Sequence, residues 1–155
     1  MRAVRADTLS AFMFILLLCL PLNAAEQCNG KQLIGIKTEI ALPGLGLNNI
    51  KAKVDTGART SSLHCSDIVV DTLRKSVTCR PYGLARAVTF SYTRYDDVKS
   101  SNAVIEQRPF VMLETIVEGK RITAEFTLTD RSEMKMPALL GRTLLRGNFI
   151  VDVSR

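Results

Sequence analysis

With 155 residues, 46% of them apolar and 23% charged, the chain has the balance of a single globular domain able to bury its own core, which excludes a disordered or fibrous polymer. The net charge of +6 is modest and comes with no basic run or aromatic-interleaved patch, so no nucleic-acid partner is expected. Arg2 and Arg5 precede an apolar run from Ala11 to Leu22, and Asn23-Ala24-Ala25 then supplies small residues. That order predicts a secretory signal peptide over 1–25 and a mature domain over 26–155, in a periplasmic or secreted location. The apolar run is shorter than the ~20 residues that span a bilayer, so no stable membrane anchor is expected after cleavage.

Downstream, the pattern is one of short alternating segments punctuated by turn residues. Leu33 to Leu42 reads as a strand, Pro43-Gly44-Leu45-Gly46 as a turn, and Ile50 to Asp55 as the next strand. A hairpin is expected from Ile68–Val70 and Ser76–Arg80, turning around Arg74-Lys75. Ala87 to Thr93 alternates Val88, Phe90 and Tyr92 with polar residues. Asp96 to Asn102 is polar apart from Val98 and reads as a mobile loop. Phe110–Val117 and Ile122–Thr129 form a second hairpin across Glu118-Gly119-Lys120. Gly141 to Arg146 is the one helical turn, and Phe149 to Val153 is a final strand. Many short strands at regular spacing argue an all-β closed barrel with one short C-terminal helix.

The expected mature chain keeps Cys28, Cys65 and Cys79, an odd number in a compartment where thiols oxidise. Cys65 and Cys79 flank the first hairpin and are the preferred pair. No Cys-x-x-Cys spacing supports a thioredoxin-type role. The single histidine, His64, has no His-Glu-x-x-His around it. His64 and Cys65, as strand neighbours, point to opposite faces, so neither a metal site nor a cofactor is expected.

The chemistry concentrates at Asp55-Thr56-Gly57-Ala58, where an apolar-alternating strand runs directly into a glycine-containing turn. The tripeptide alone arises by chance in about 3% of chains this long. It gains weight from Pro137-Ala138-Leu139-Leu140-Gly141-Arg142 downstream, an apolar strand followed by glycine and arginine. Together with Lys51–His64, Val98–Asn102 and Leu128-Thr129-Asp130-Arg131, these segments resemble bacterial retropepsin-like aspartic peptidases, a family that also carries the label ATP-dependent zinc protease. The likeness runs from about Gly35 to Arg155.

The resemblance implies an acid-protease barrel and an aspartic-type endopeptidase. Asp55, Thr56 and Gly57 would be catalytic, and Ala58 and Arg59 would bind substrate. Leu140, Gly141 and Arg142 would support the site. Carboxylate-driven peptide hydrolysis needs two acids sharing one proton, and the chain holds one such motif, so a homodimer joining two copies of Asp55 is expected. Thr56 would lock the two loops across the axis, and Gly57 would donate its N–H to the carboxylate. Two departures from the family stand out. Arg59 occupies a place where retropepsins carry an acid that pairs with the arginine at position 142, which leaves Asp130 or another acid to take that role. The flap region, about Tyr92 to Gln107, contains no glycine, so Asn102 would have to take its left-handed turn position. The association of some relatives with glutamate-adding ligases points to acidic peptides or proteins as substrates, which Arg59 would select through a bidentate contact. A non-catalytic periplasmic binding or assembly module on the same barrel is the alternative, and a zinc-dependent peptidase the third reading.

Overall fold

The computed structural model of the chain describes residues 27–28, 30–99 and 104–155. The expected signal peptide, the Cys28 side chain and Asn102 lie outside the described residues. In chain order the strands are β1 (Gln27–Cys28), β2 (Lys31–Ile34), β3 (Lys37–Leu42), β4 (Leu47–Val54), β5 (Ser61–Asp71), β6 (Ser76–Pro81), β7 (Val88–Ser91), β8 (Arg94–Lys99), β9 (Ile105–Val117), β10 (Lys120–Thr129), β11 (Ala138–Leu140) and β12 (Phe149–Val151), with helix α1 (Arg142–Leu145) before the last. Strands β10, β9, β3, β4, β11 and β5 neighbour one another in that order, and β5 pairs back to β10, closing a six-stranded barrel. Closure removes the free edges that an open sheet of this size would expose.

Period-two alternation sets which residues fill the barrel. In β4, Ile50, Ala52 and Val54 are buried while Lys51 and Lys53 point outward. Leu63, Phe126, Leu128, Ala138 and Leu140 are fully buried and pack with Leu144 of α1 into one core. Burying an aliphatic or aromatic side chain of this kind contributes about 1.5–3 kcal/mol relative to leaving it in water.

The turn between β9 and β10 needs positive φ at both central residues, and Glu118 at 48° and Gly119 at 76° supply it. Asp71 caps the β5–β6 turn, its Oδ1 accepting from the N–H groups of Leu73 and Arg74 at 3.0 Å. The Cys65–Cys79 disulfide joins the two strands of that hairpin.

Two elements differ from the sequence reading. The single strand expected over Leu33–Leu42 is broken at Gly35-Ile36, because β2 leaves the barrel to pair in parallel with β12. Gly35 makes the break possible: a Cβ there would lie 3.0 Å from the Arg155 carbonyl oxygen, which accepts the Ile36 N–H. The polar segment expected to be a mobile loop from Asp96 is instead strand as far as Lys99, paired residue for residue from Arg94↔Phe110 to Lys99↔Ile105. Asp96, Asp97, Glu106 and Gln107 are exposed, so this hairpin lacks the one-sided burial that writes an apolar period into a strand.

Candidate active site

Asp55 stands immediately past the end of β4, and its own N–H bonds the Leu140 carbonyl of β11 at 3.0 Å. Because β11 runs parallel to β4, with Leu140 opposite Val54, the two motifs far apart in sequence end side by side. The carboxylate is held by three donors. Oδ1 accepts from the Gly57 N–H at 2.9 Å and the Ala58 N–H at 3.2 Å, and Oδ2 accepts from Lys53 Nζ at 3.2 Å. Burial pushes the carboxyl up, but Lys53 and the two backbone N–H groups outweigh it and hold Asp55 below the usual carboxylate range. Thr56 and Gly57 are exposed on the rim of the loop, and about a quarter of the Asp55 side chain (26%) is accessible.

Helix α1 clamps this loop from behind. The N–H groups of Arg142 and Thr143 bond the carbonyls of Ala58 and Arg59 at 2.9 and 3.0 Å. The Arg142 guanidinium donates to the Thr56 and Gly57 carbonyls at 3.1 and 2.8 Å. The expectation that an acid such as Asp130 would pair with Arg142 is therefore corrected. Backbone oxygens satisfy Arg142, and Asp130 lies 3.4 Å from His64 Nδ1 instead. With no acid on Arg142 among the described residues, a cation is tolerated at position 59. Arg59 is exposed, and its charge acts on Glu125, which Arg94 grips through Nε and Nη2 at 3.2 and 2.8 Å.

Gly141 is required by close approach rather than by its dihedral angles. A Cβ at this position would sit 2.5 Å from the Thr60 carbonyl carbon and 2.6 Å from its oxygen. The Gly141 N–H also bonds the buried Ser61 hydroxyl at 3.1 Å. Gly141→Ala should therefore destabilise the protein by about 1–3 kcal/mol, the range for overpacking, and loosen the Asp55 loop. Thermal melting checks the first part, and a melting point equal to wild type would contradict this packing argument.

Four charged groups around the site escaped the sequence reading. Lys53 carries the signal in its position, since residues two apart on a strand share a face with the turn that follows. Arg131 falls inside the Leu128–Arg131 segment but was given no role. The Arg94–Glu125 pair joins strands distant in sequence, and nothing local announces it. A zinc site at His64 is not what these residues build: Cys65 and Cys79 are bonded to each other, and His64 Nδ1 accepts the Arg131 N–H at 2.9 Å. An open groove of about 880 Å³ lies against β3 and β4, lined by Lys37, Glu39, Lys51 and Glu118 among others, and does not include Asp55.

The pairing of Asp-Thr-Gly with Leu-Leu-Gly-Arg on parallel strands of a closed barrel has a counterpart in known sequences. Residues 33–155 match the model of the RimB-like family, described as retropepsin-like aspartic endopeptidase RimB. The chain belongs to this family. Two curated relatives are each named "Probable alpha-L-glutamate ligase". The one from Parasynechococcus marenigrum is 37% identical over 131 residues, covering 79% of this chain and 28% of that protein. The one from Shewanella halifaxensis is 33% identical over 134 residues, covering 81% and 29%. The chain thus spans less than a third of these relatives' length. A crystal structure of a Legionella pneumophila protein of unknown function superposes with a TM-score of 0.63 at 26% identity, covering 79% of this chain and 94% of that one. The all-β barrel of this RimB-like chain is thereby the retropepsin-like fold.

Proposed function

We propose that the protein is an exported aspartic-type endopeptidase that acts as a homodimer on acidic peptide or protein segments. The observation that carries this reading is the geometry of Asp55. Its carboxylate is fixed by backbone N–H groups on a clamped turn, yet the loop's outer rim is exposed in the single chain. A twofold partner would bring a second Asp55 to the first. One carboxylate then takes a proton from the attacking water while the other gives its proton to the carbonyl oxygen.

The Cys65–Cys79 disulfide supports an oxidising compartment, and with it the export expected of residues 1–25. The cationic surroundings of Asp55, with Lys53 bonded to it and Arg131 within electrostatic reach, support substrates that carry carboxylates. The relatives' printed activity, joining glutamate, points the same way.

Dimerisation should be pH-dependent, with a definite sign. Asp55 is held below the usual carboxylate range in the single chain, and two apposed carboxylates cannot both stay ionised. Association then takes up a proton, so the dimer is favoured below the raised pKa of the pair and weakens as pH rises through it. Sedimentation across pH 4 to 8, alongside cleavage of a glutamate-rich peptide, tests the reading. The expected result is tighter self-association and faster cleavage toward acid pH. A monomer at every pH that still cleaves the peptide would refute the shared site, and a dimer that cleaves nothing would favour the binding module.

A further inference from the structure

Strand register places three side chains in one row beside Asp55. Ser62 of β5 lies opposite Leu139 of β11, and Leu139 lies opposite Lys53 of β4. Residues paired across neighbouring strands point to the same face, so Ser62, Leu139 and Lys53 share one face of the sheet, Ser62 buried, Leu139 half-buried and Lys53 exposed, with Ser62 and Lys53 about 10 Å apart. This is the face opposite to the core, because the alternate positions Leu63, Ala138 and Ala52 are fully buried. Lys53 reaches along this face to Asp55 Oδ2.

At the other end of the row sits Arg131. Its Nη1 donates to Ser62 Oγ at 2.9 Å and its Nε to the Met136 carbonyl at 3.3 Å, which fixes the guanidinium plane. The remaining N–H groups have no protein acceptor among the described residues. The contrast with two other partly buried arginines is direct. Arg94 is met by Glu125 and Asp96, and Arg108 by Glu106 at 2.7 Å. Arg131 is partly buried, forms no ion pair among the described residues, and is repelled by Arg108. Burial and that repulsion both act against its charge, and Asp55 acts in its favour. A cation fixed in place, partly desolvated and left with free donors is costly unless an anion joins it in the working state. The planar fork matches a carboxylate.

We propose that Arg131 is the specificity-determining residue of the cleft, taking a substrate side-chain carboxylate over the Ser62–Leu139–Lys53 row next to the bond that Asp55 addresses. The proposal rests on the peptidase reading above, and it assigns to Arg131, rather than to Arg59, the choice of an acidic side chain.

The test uses two quenched-fluorescence peptides of one length, one carrying a run of Glu and the other the same run as Gln. Wild type is expected to favour the Glu peptide at least about 10-fold in kcat/KM, mainly through KM, with the preference shrinking as ionic strength rises. Arg131→Gln should erase that preference while changing kcat/KM on the Gln peptide less than about 3-fold, and Arg131→Lys should restore part of it. Arg86→Gln, an exposed arginine elsewhere, controls for net charge. Preference retained in Arg131→Gln, or equal losses on both peptides, would overturn the proposal. The peptidase reading is separated by measuring fluorescence anisotropy of the Glu peptide on Asp55→Asn and on Asp55→Asn with Arg131→Gln. If wild type cleaves neither peptide, the peptidase reading fails. Loss of Glu-peptide binding on removing Arg131 still upholds the carboxylate contact, and unchanged binding defeats it.

Discussion

Replacing Asp55 by Asn is expected to lower peptide cleavage by about 10³-fold or more while leaving the fold and the self-association intact. Proton transfer by a positioned acid or base contributes about 10²–10⁴-fold, and this substitution removes the group from both halves of the site at once. The structure explains why the fold survives. Asn keeps an oxygen able to accept from the Gly57 and Ala58 N–H groups, and the Asp55 N–H to the Leu140 carbonyl is untouched. What is lost is the ion pair with Lys53, whose side chain is 59% exposed, and partly exposed pairs contribute about 0.2–1 kcal/mol. Peptide cleavage and thermal melting measured together check both halves of the expectation. Cleavage at the wild-type rate would show that Asp55 is not catalytic.

The second large effect is expected at the disulfide. Cys65 and Cys79 are separated by 14 positions and are both fully buried. Closing a loop of about that length removes unfolded-chain entropy equivalent to about 3 kcal/mol. Replacing both cysteines by alanine should therefore cost about 2–5 kcal/mol, and reductant should lower the wild-type urea midpoint while leaving the double variant unmoved. The consequence reaches the site, because β5 carries both Cys65 and the Ser61 and Ser62 hydroxyls that bond Gly141 and Arg131. Equal midpoints for wild type and variant would contradict the assigned role of the bridge.

How far the sequence could be read depended on whether a residue's role is local. Asp55 was legible because a turn carboxylate takes its donors from the residues just after it, Gly57 and Ala58, whereas Gly141 stood out only through the resemblance, its close contact being with the distant Thr60. Alternation marked β4 and β10 because each has one face in the core. The β8–β9 hairpin was misread as a loop beyond Asp96, since its outer residues are exposed and leave no period in the sequence. Arg142 was assigned a carboxylate by analogy, whereas the closeness of α1 to the Asp55 loop makes backbone oxygens its partners. Arg131 meets Ser62 from 69 positions away, and only the register of β5 with β11 brings that contact beside Asp55.

The central claim is that two copies of Asp55 form one site, and mixing wild-type protein with excess Asp55→Asn protein tests it most directly. With wild-type concentration held constant above the dimer dissociation constant, equal variant should leave about half of the wild-type activity, and a ninefold excess about a tenth, because random exchange moves wild-type chains into mixed dimers. Activity per wild-type chain that stays constant at every mixing ratio would contradict the shared dyad.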